Sequence, residues 1–393
     1  MDTTTITKTK VMPTARISPA TAQANVRSPV LIRSKAIVCS VLAGMLACML
    51  YWFLDVSFPE DRQALMQLED TESFPLDMPV AIAAELRIAQ TANLALEKQL
   101  GATDSRTLDS LEKLAALYEQ HGDSSGAIRH YERLLAALEQ VRSPEDVSVA
   151  EILNRLALLH NAQGNVAEAI PLLKRALAIF ELHLGLFHPA VATAMNNLAL
   201  LYDSLGANQD AEPLYQQALR VSEQVVGLEH PDVAIPLNNL AGFYYTRGRY
   251  EEAETLYLRS LKIKKHAFGA DDLSVGISLN NLALLYEAKG DFLRAEALCL
   301  RALAILEKKR GLNHADVAIS LNNLAGLYYS HGDRRLALPL LKRSLAIKEE
   351  TLGAHHPDVI ASLANLATLY RSLGRNEDAQ VLEQRLAALR AAI

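Results

Sequence analysis

The chain has 393 residues, of which 50% are hydrophobic and 21% charged, with 18 glycines and 14 prolines. That is too apolar for a disordered chain and too poor in proline and glycine for a low-complexity one. Thirty-nine basic against 45 acidic residues leave a formal charge of −6, and the three cysteines, Cys39, Cys48 and Cys299, are too few and too scattered for a disulfide framework or a zinc centre.

Residues 1–35 are a basic arm rich in serine and threonine. Lys8, Lys10, Arg16, Arg27, Arg33 and Lys35 oppose Asp2 alone. No hydrophobic periodicity runs through them, so disorder is expected. Ala36 to Leu54 comes next, 19 residues without a charge. As a helix that stretch would span ~28 Å, close to a bilayer's hydrocarbon thickness. Tyr51, Trp52 and Phe53 stand at its far end, where amphipathic rings favour the membrane interface. Residues 55–78 form an acidic linker, with Asp55, Glu60, Asp61, Glu69, Asp70, Glu72 and Asp77 against Arg62. The basic side stays in the cytoplasm, so 36–54 reads as a single transmembrane anchor. The bulk of the chain would then lie across the membrane, in the periplasm if the cell is bacterial. A cleaved signal peptide needs a small-residue site after its apolar core, and Tyr-Trp-Phe-Leu-Asp is a poor one. A lipoprotein signal at Met45-Leu46-Ala47-Cys48, which the bulky Leu46 fits badly, and an organelle transit peptide are the alternatives.

Residues 79–100 read as a half-repeat helix that caps the start of a repeat array. From residue 101 one spacing governs the chain. Glycine recurs every 42 residues at 122, 164, 206, 248, 290, 332 and 374. Leucine followed by alanine recurs from Leu114-Ala115 to Leu366-Ala367 with the same period, and another alanine series runs from Ala127 to Ala379. Seven units succeed one another without insertion: 101–142, 143–184, 185–226, 227–268, 269–310, 311–352 and 353–393. Each predicts two antiparallel helices. In 185–226, Pro189 suits a first helical turn. Val191, Met195, Leu198 and Tyr202 make one apolar stripe. Gly206 ends that helix, and Ala211, Leu214, Tyr215, Ala218 and Val221 make the stripe of the second. One such hairpin cannot bury both faces; stacked hairpins bury a continuous core.

The strings His230-Pro231-Asp232-Val233-Ala234, Leu237-Asn238-Asn239-Leu240-Ala241 and Tyr250-Glu251-Glu252-Ala253-Glu254 resemble tetratricopeptide repeats of the kinesin-light-chain type. The resemblance covers roughly 101–393 and implies an all-α superhelix of about seven hairpins; the transmembrane helix read from residues 36–54 precedes it. A period of 42 against the commoner 34 implies longer helices. The coiled coil of kinesin light chains has no counterpart before the repeats, so the motor-adaptor role is not carried over.

Opposite the apolar stripe of the first helices lies a second face. Asn197, Asn239, Asn281, Asn323 and Asn365 recur on it, with a companion series one residue earlier (Asn154, Asn196, Asn238, Asn280, Asn322). Asparagine is a weak helix former, and its amide both donates and accepts. Two readings stand together: the amides grip an extended peptide, or they stitch neighbouring repeats. The resemblance implies that the first helices line the inside of the curve and that the Asn197 series contacts peptides. Tyr245 and Tyr329 are flanking candidates, because aromatics anchor interfaces. A second ladder, Arg133, Arg175, Arg259, Arg301, Arg343 and Arg385, flanks the second helices and reads as boundary residues whose stems pack.

His188, His230, His314 and His356 share one place in their units. Rungs ~8–10 Å apart cannot easily share a metal ion, so these histidines are expected to shape the turn that opens each first helix. There is no phosphate loop, no His-Glu-x-x-His and no nucleophile elbow. No cofactor or metal is implied. Residues 63–393 carry a net charge of −9, the wrong sign for nucleic acid. The expected function is a non-enzymatic, membrane-anchored scaffold that holds a peptide or protein segment in its groove. A self-assembling or spacer role in an envelope complex is the alternative, and an enzyme with an unrecognised groove site the remote one.

Overall fold

The computed structural model describes residues 80–391, and every described element is helical. The arm, the 36–54 segment and the acidic linker lie outside the described residues. Among the described residues no helix is long and apolar enough to cross a membrane. The helices are α1 (Val80–Leu100), α2 (Ser105–Gln120), α3 (Ser124–Val141), α4 (Val147–Ala162) and α5 (Val166–Leu184). They continue as α6 (Pro189–Ser204), α7 (Asn208–Val226), α8 (Ala234–Thr246), α9 (Tyr250–Phe268) and α10 (Leu273–Ala288). The last are α11 (Phe292–Arg310), α12 (Ala315–His331), α13 (Arg334–Leu352), α14 (Pro357–Ser372) and α15 (Asn376–Ala391). The chain packs as two units that meet in sequence after Leu172.

The signals that start and stop these helices repeat with the sequence. Gly206 and Gly227 close α6 and α7 with φ of 72° and 90°, a left-handed backbone that side-chain-bearing residues rarely adopt. Pro189 is the first residue of α6, where its missing N–H breaks no bond. One opening differs. Ahead of α8 the chain makes a short 3₁₀ turn, Pro231–Val233, with the Val233 N–H donating to the His230 carbonyl at 3.0 Å. Pro236 has no N–H to give the Asp232 carbonyl, so that end of the helix winds more tightly.

Alanines set how closely the two helices of a hairpin approach. Ala199 on α6 and Ala211 on α7 are both fully buried, as are Ala241 with Ala253 and Ala325 with Ala337. Large residues fill the space beyond them, including Tyr215, Phe243, Tyr257 and Cys299. Burying a leucine-sized side chain contributes about 2 kcal/mol, and Leu156, Leu240, Leu282 and Leu324 repeat that gain once per unit.

Within the unit from residue 173 onward, each first helix packs on its own partner, and those from α8 onward pack also on the second helix before them. Successive first helices also touch one another, α6 with α8, α8 with α10 and α10 with α12. Among the described residues from α7 onward, no two successive second helices approach to that extent. This asymmetry places the first helices on the inner side of the layer.

Candidate functional site

Each first helix opens on an amino-terminal cap. The residue before α6 is His188, whose Nδ1 accepts from the Ala190 N–H at 3.2 Å. His230, His314 and His356 do the same for Asp232, Asp316 and Asp358, at 3.3, 3.1 and 3.1 Å. Asp104, Asp146 and Asp272 hold the same place in the other units and accept through a carboxylate oxygen at 2.8–2.9 Å. The recurring histidines therefore shape the opening turn, as their spacing predicts. An imidazole accepts such a bond through an unprotonated Nδ1. Among the described residues no group of histidine, cysteine and carboxylate side chains is placed to hold a metal ion.

The asparagines divide in two. Asn239 Nδ2 donates to Asn196 Oδ1 at 3.0 Å, and Asn281 Nδ2 donates to Asn238 Oδ1 at 3.0 Å. Each bond spans 43 residues and joins one first helix to the next. Asn197 and Asn239 are buried, at 1% and 5% exposure. The third rung breaks the pattern. Ser320 Oγ donates to Asn280 Oδ1 at 3.1 Å, in the place where Asn323 would have donated. Asn323 is 1% exposed, and neither atom of its amide has a hydrogen-bond partner among the described residues. Asn365 on α14 is half-buried and makes no side-chain hydrogen bond among the described residues. Tyr245 and Tyr329 are half-buried as well. The Tyr245 ring lies 6.0 Å from that of Tyr250, and the Arg334 guanidinium lies 5.8 Å from the centre of Tyr329.

A single-helix wheel places these asparagines opposite the apolar stripe but cannot show what covers them. The neighbouring first helix does. Asn239 and Asn281 spend their donors between rungs, whereas Asn323 and Asn365 keep their amides unspent.

The arginine ladder proves to be a set of clamps. Arg259 donates to Glu223 at 2.5 Å and to the Leu228 carbonyl at 2.8 Å. Arg343 repeats both contacts with Glu307 and Leu312, at 2.5 and 3.1 Å. Arg385 pairs with Glu349 at 2.6 Å, and Arg133 with Glu97 at 3.0 Å. In each of these four pairs the glutamate is 36 residues back. For Arg301 that position holds Lys265, a like charge, and Arg301 turns to Asp271 instead. The signal was available, because the glutamates also recur with the period of 42 residues.

Family models for the tetratricopeptide repeat match residues 148–224, 232–308, 274–350 and 316–392, and a second such model matches 112–183. No curated protein matches the chain. Similar solved structures include a kinesin light chain of Podosopora anserina with nearly identical TPR-like repeats, 29% identical, covering 52% of this chain and 97% of that one, TM-score 0.45. The apo quorum sensor NprR from B. thuringiensis is 17% identical, covering 90% and 99%, TM-score 0.58. A Rap protein complexed with competence and sporulation factor is 17% identical, covering 84% and 91%, TM-score 0.55.

Proposed function

The chain belongs to the tetratricopeptide-repeat family, and from that premise we propose a non-enzymatic scaffold that holds an extended peptide on the inner face of its first helices. The observations that carry the reading are the half-buried Asn365 amide, which makes no side-chain hydrogen bond among the described residues, and the buried, unpaired Asn323 amide, which a ligand reaches when the rungs beside it part. A primary amide offers two donors and an acceptor, which suits the alternating groups of a peptide main chain. Leaving such a group buried without a partner costs about 1–3 kcal/mol. A ligand that supplies the partner recovers that cost. Tyr329, on the same helix as Asn323, adds an amphipathic ring at the edge of the contact. The Rap relative, solved with competence and sporulation factor, has the same fold at low identity, and its ligand offers a precedent for this use.

The proposal extends to the membrane. Residues 36–54 serve as an anchor, with the basic arm cytoplasmic and the repeats on the far side, in the periplasm if the cell is bacterial. The anchor would hold the bound segment close to the bilayer. Its support is the uncharged run of 19 residues between a basic and an acidic flank.

The test is crosslinking in intact membranes with the wild-type chain and with Asn323→Ala/Asn365→Ala. The double variant should fold and melt like the wild type while capture of the partner falls. Retained capture at wild-type yield would remove the inner face from consideration. Extraction of membranes at high pH should leave the full chain in the pellet and release a chain lacking residues 36–54.

A further inference from the structure

The unit that ends at residue 172 contains a cavity of ≈ 200 Å³ between α1, α2 and α3. Its lining includes Asn93, Glu97, Thr107, Leu111, Arg133 and Ala137. Three of these residues depart from the repeat at positions that are otherwise nearly uniform. Where Thr107 stands, the six later units have Val149, Val191, Val233, Val275, Val317 and Val359, each fully buried. Where Ala137 stands, they have Ile179, Val221, Ile263, Ile305, Ile347 and Leu389. Where Asn93 stands, later units have Leu135, Leu177, Leu219, Leu261, Leu303 and Leu345, and only Ala387 breaks the run. The first joint of the array has thus lost bulk at one position and gained polarity at two, and all three meet in one cavity.

The polar groups are only partly satisfied. Asn93 is 1% exposed, and its Nδ2 donates to the Thr107 carbonyl at 3.1 Å, which fixes the amide and leaves Oδ1 as an acceptor. Thr107 is 2% exposed, and its hydroxyl has no partner among the described residues. Glu97 and Arg133 pair with each other at 3.0 Å and are each partly exposed. Their charges cancel, so the lining favours neither an anion nor a cation. Leu111 and Ala137 supply an apolar wall. Ligand pockets for drug-sized molecules run to ~300–1,000 Å³, and this one holds a fragment or one side chain.

We propose that this cavity binds a primary carboxamide. Its NH₂ donates to Asn93 Oδ1 and to the Thr107 hydroxyl oxygen, of which the latter has no partner among the described residues, while a short methylene stem lies against Leu111 and Ala137. Such a group comes either from a free small amide or from an asparagine or glutamine side chain of a partner. The site stands independently of the inner-face reading.

The test is a titration of the full chain, labelled at alanine and threonine methyls, with propionamide, N-acetyl-glutamine N-methylamide and propionate. The Ala137 and Thr107 methyl signals should move saturably with either amide and not with propionate. A midpoint at least about tenfold lower for the blocked glutamine assigns the site to a partner's side chain; similar midpoints assign it to a free amide. Ala137→Ile restores the side chain of the later units and should raise the melting temperature while weakening the response at least about tenfold. Thr107→Val keeps the shape and removes the hydroxyl, and should weaken it as well. Drift without saturation, an equal response to propionate, or midpoints unchanged in both variants would overturn the assignment.

Discussion

Lys264 offers a direct test of how burial balances against charge in this array. It sits on α9 in the joint with α10, 8% exposed, and its ammonium donates to Ser278 Oγ at 2.8 Å. Burial pushes its pKa from 10.5 to about 8, with Asp272 pulling weakly the other way. At 1.36 kcal/mol per pKa unit that depression corresponds to about 3 kcal/mol of destabilisation when the lysine is charged. The repeat supplies its own replacement, because Leu306 occupies the same position one unit later and is fully buried. Lys264→Leu removes the buried charge and also the bond that Ser278 accepts, which is worth ~1 kcal/mol. The expected net gain at pH 7 is about 2 kcal/mol. Between pH 8 and 10.5 the folded chain binds fewer protons at this site than the unfolded one, so wild-type stability rises with pH across that window. The variant lacks this gain, so its advantage should fall to zero about 1.5 pH units above the folded pKa and reverse to about −1 kcal/mol near pH 10.5, where the wild type still keeps the Ser278 bond. Chemical denaturation of both chains at about pH 7, 9 and 10.5 measures it. A variant less stable at pH 7, or a gap that stays constant with pH, would refute the reasoning.

The geometry sets three further outcomes. Asn239→Ala should cost about 1–3 kcal/mol by orphaning Asn196, whereas Asn323→Ala should cost less than about 0.5 kcal/mol; paired melts read the contrast. Gly126→Ala should destabilise by about 1–3 kcal/mol, because an added Cβ falls 2.3 Å from Tyr118 Cδ1, and the loss should reappear in the melting temperature. His314 is held below its usual pKa, chiefly by burial, with Asp316 raising and Arg310 lowering it. The unfolded chain therefore binds the proton more readily, stability falls as pH drops below ~6.5 through the folded value, and His314→Asp should flatten that part of the pH–stability curve.

The period alone made most of the fold legible. It placed Gly206 and Gly227 at helix ends and Ala199 against Ala211, and it set the capping histidines apart from any metal site. The site was only half legible. A wheel drawn on α8 puts Asn239 on the face away from its hairpin partner, yet a helix in a stacked layer has three neighbours. The bond from Asn239 to Asn196 belongs to the third, which lies 43 residues away. The arginine partners share the period, but their pairing shows only in the fold, since Glu223 and Arg259 meet after a turn, a first helix and a second turn. The first-joint cavity was visible in sequence as Thr107 among valines and Ala137 among isoleucines. Those departures gained meaning once the structure brought them to one place.

The buried Lys264–Ser278 contact has a counterpart in Lys348–Ser362, at 2.9 Å, two units further along, with the apolar Leu306 between them. Gly242 with Gly326 and Tyr245 with Tyr329 share that 84-residue echo. Three successive joints therefore run lysine, leucine, lysine, so these hairpins are not interchangeable bricks. Deleting the hairpin 269–310 alone would place two lysine joints in succession, while adding or deleting 227–310 as a pair keeps the order. Genetic lengthening or shortening within 227–352 should proceed in steps of two.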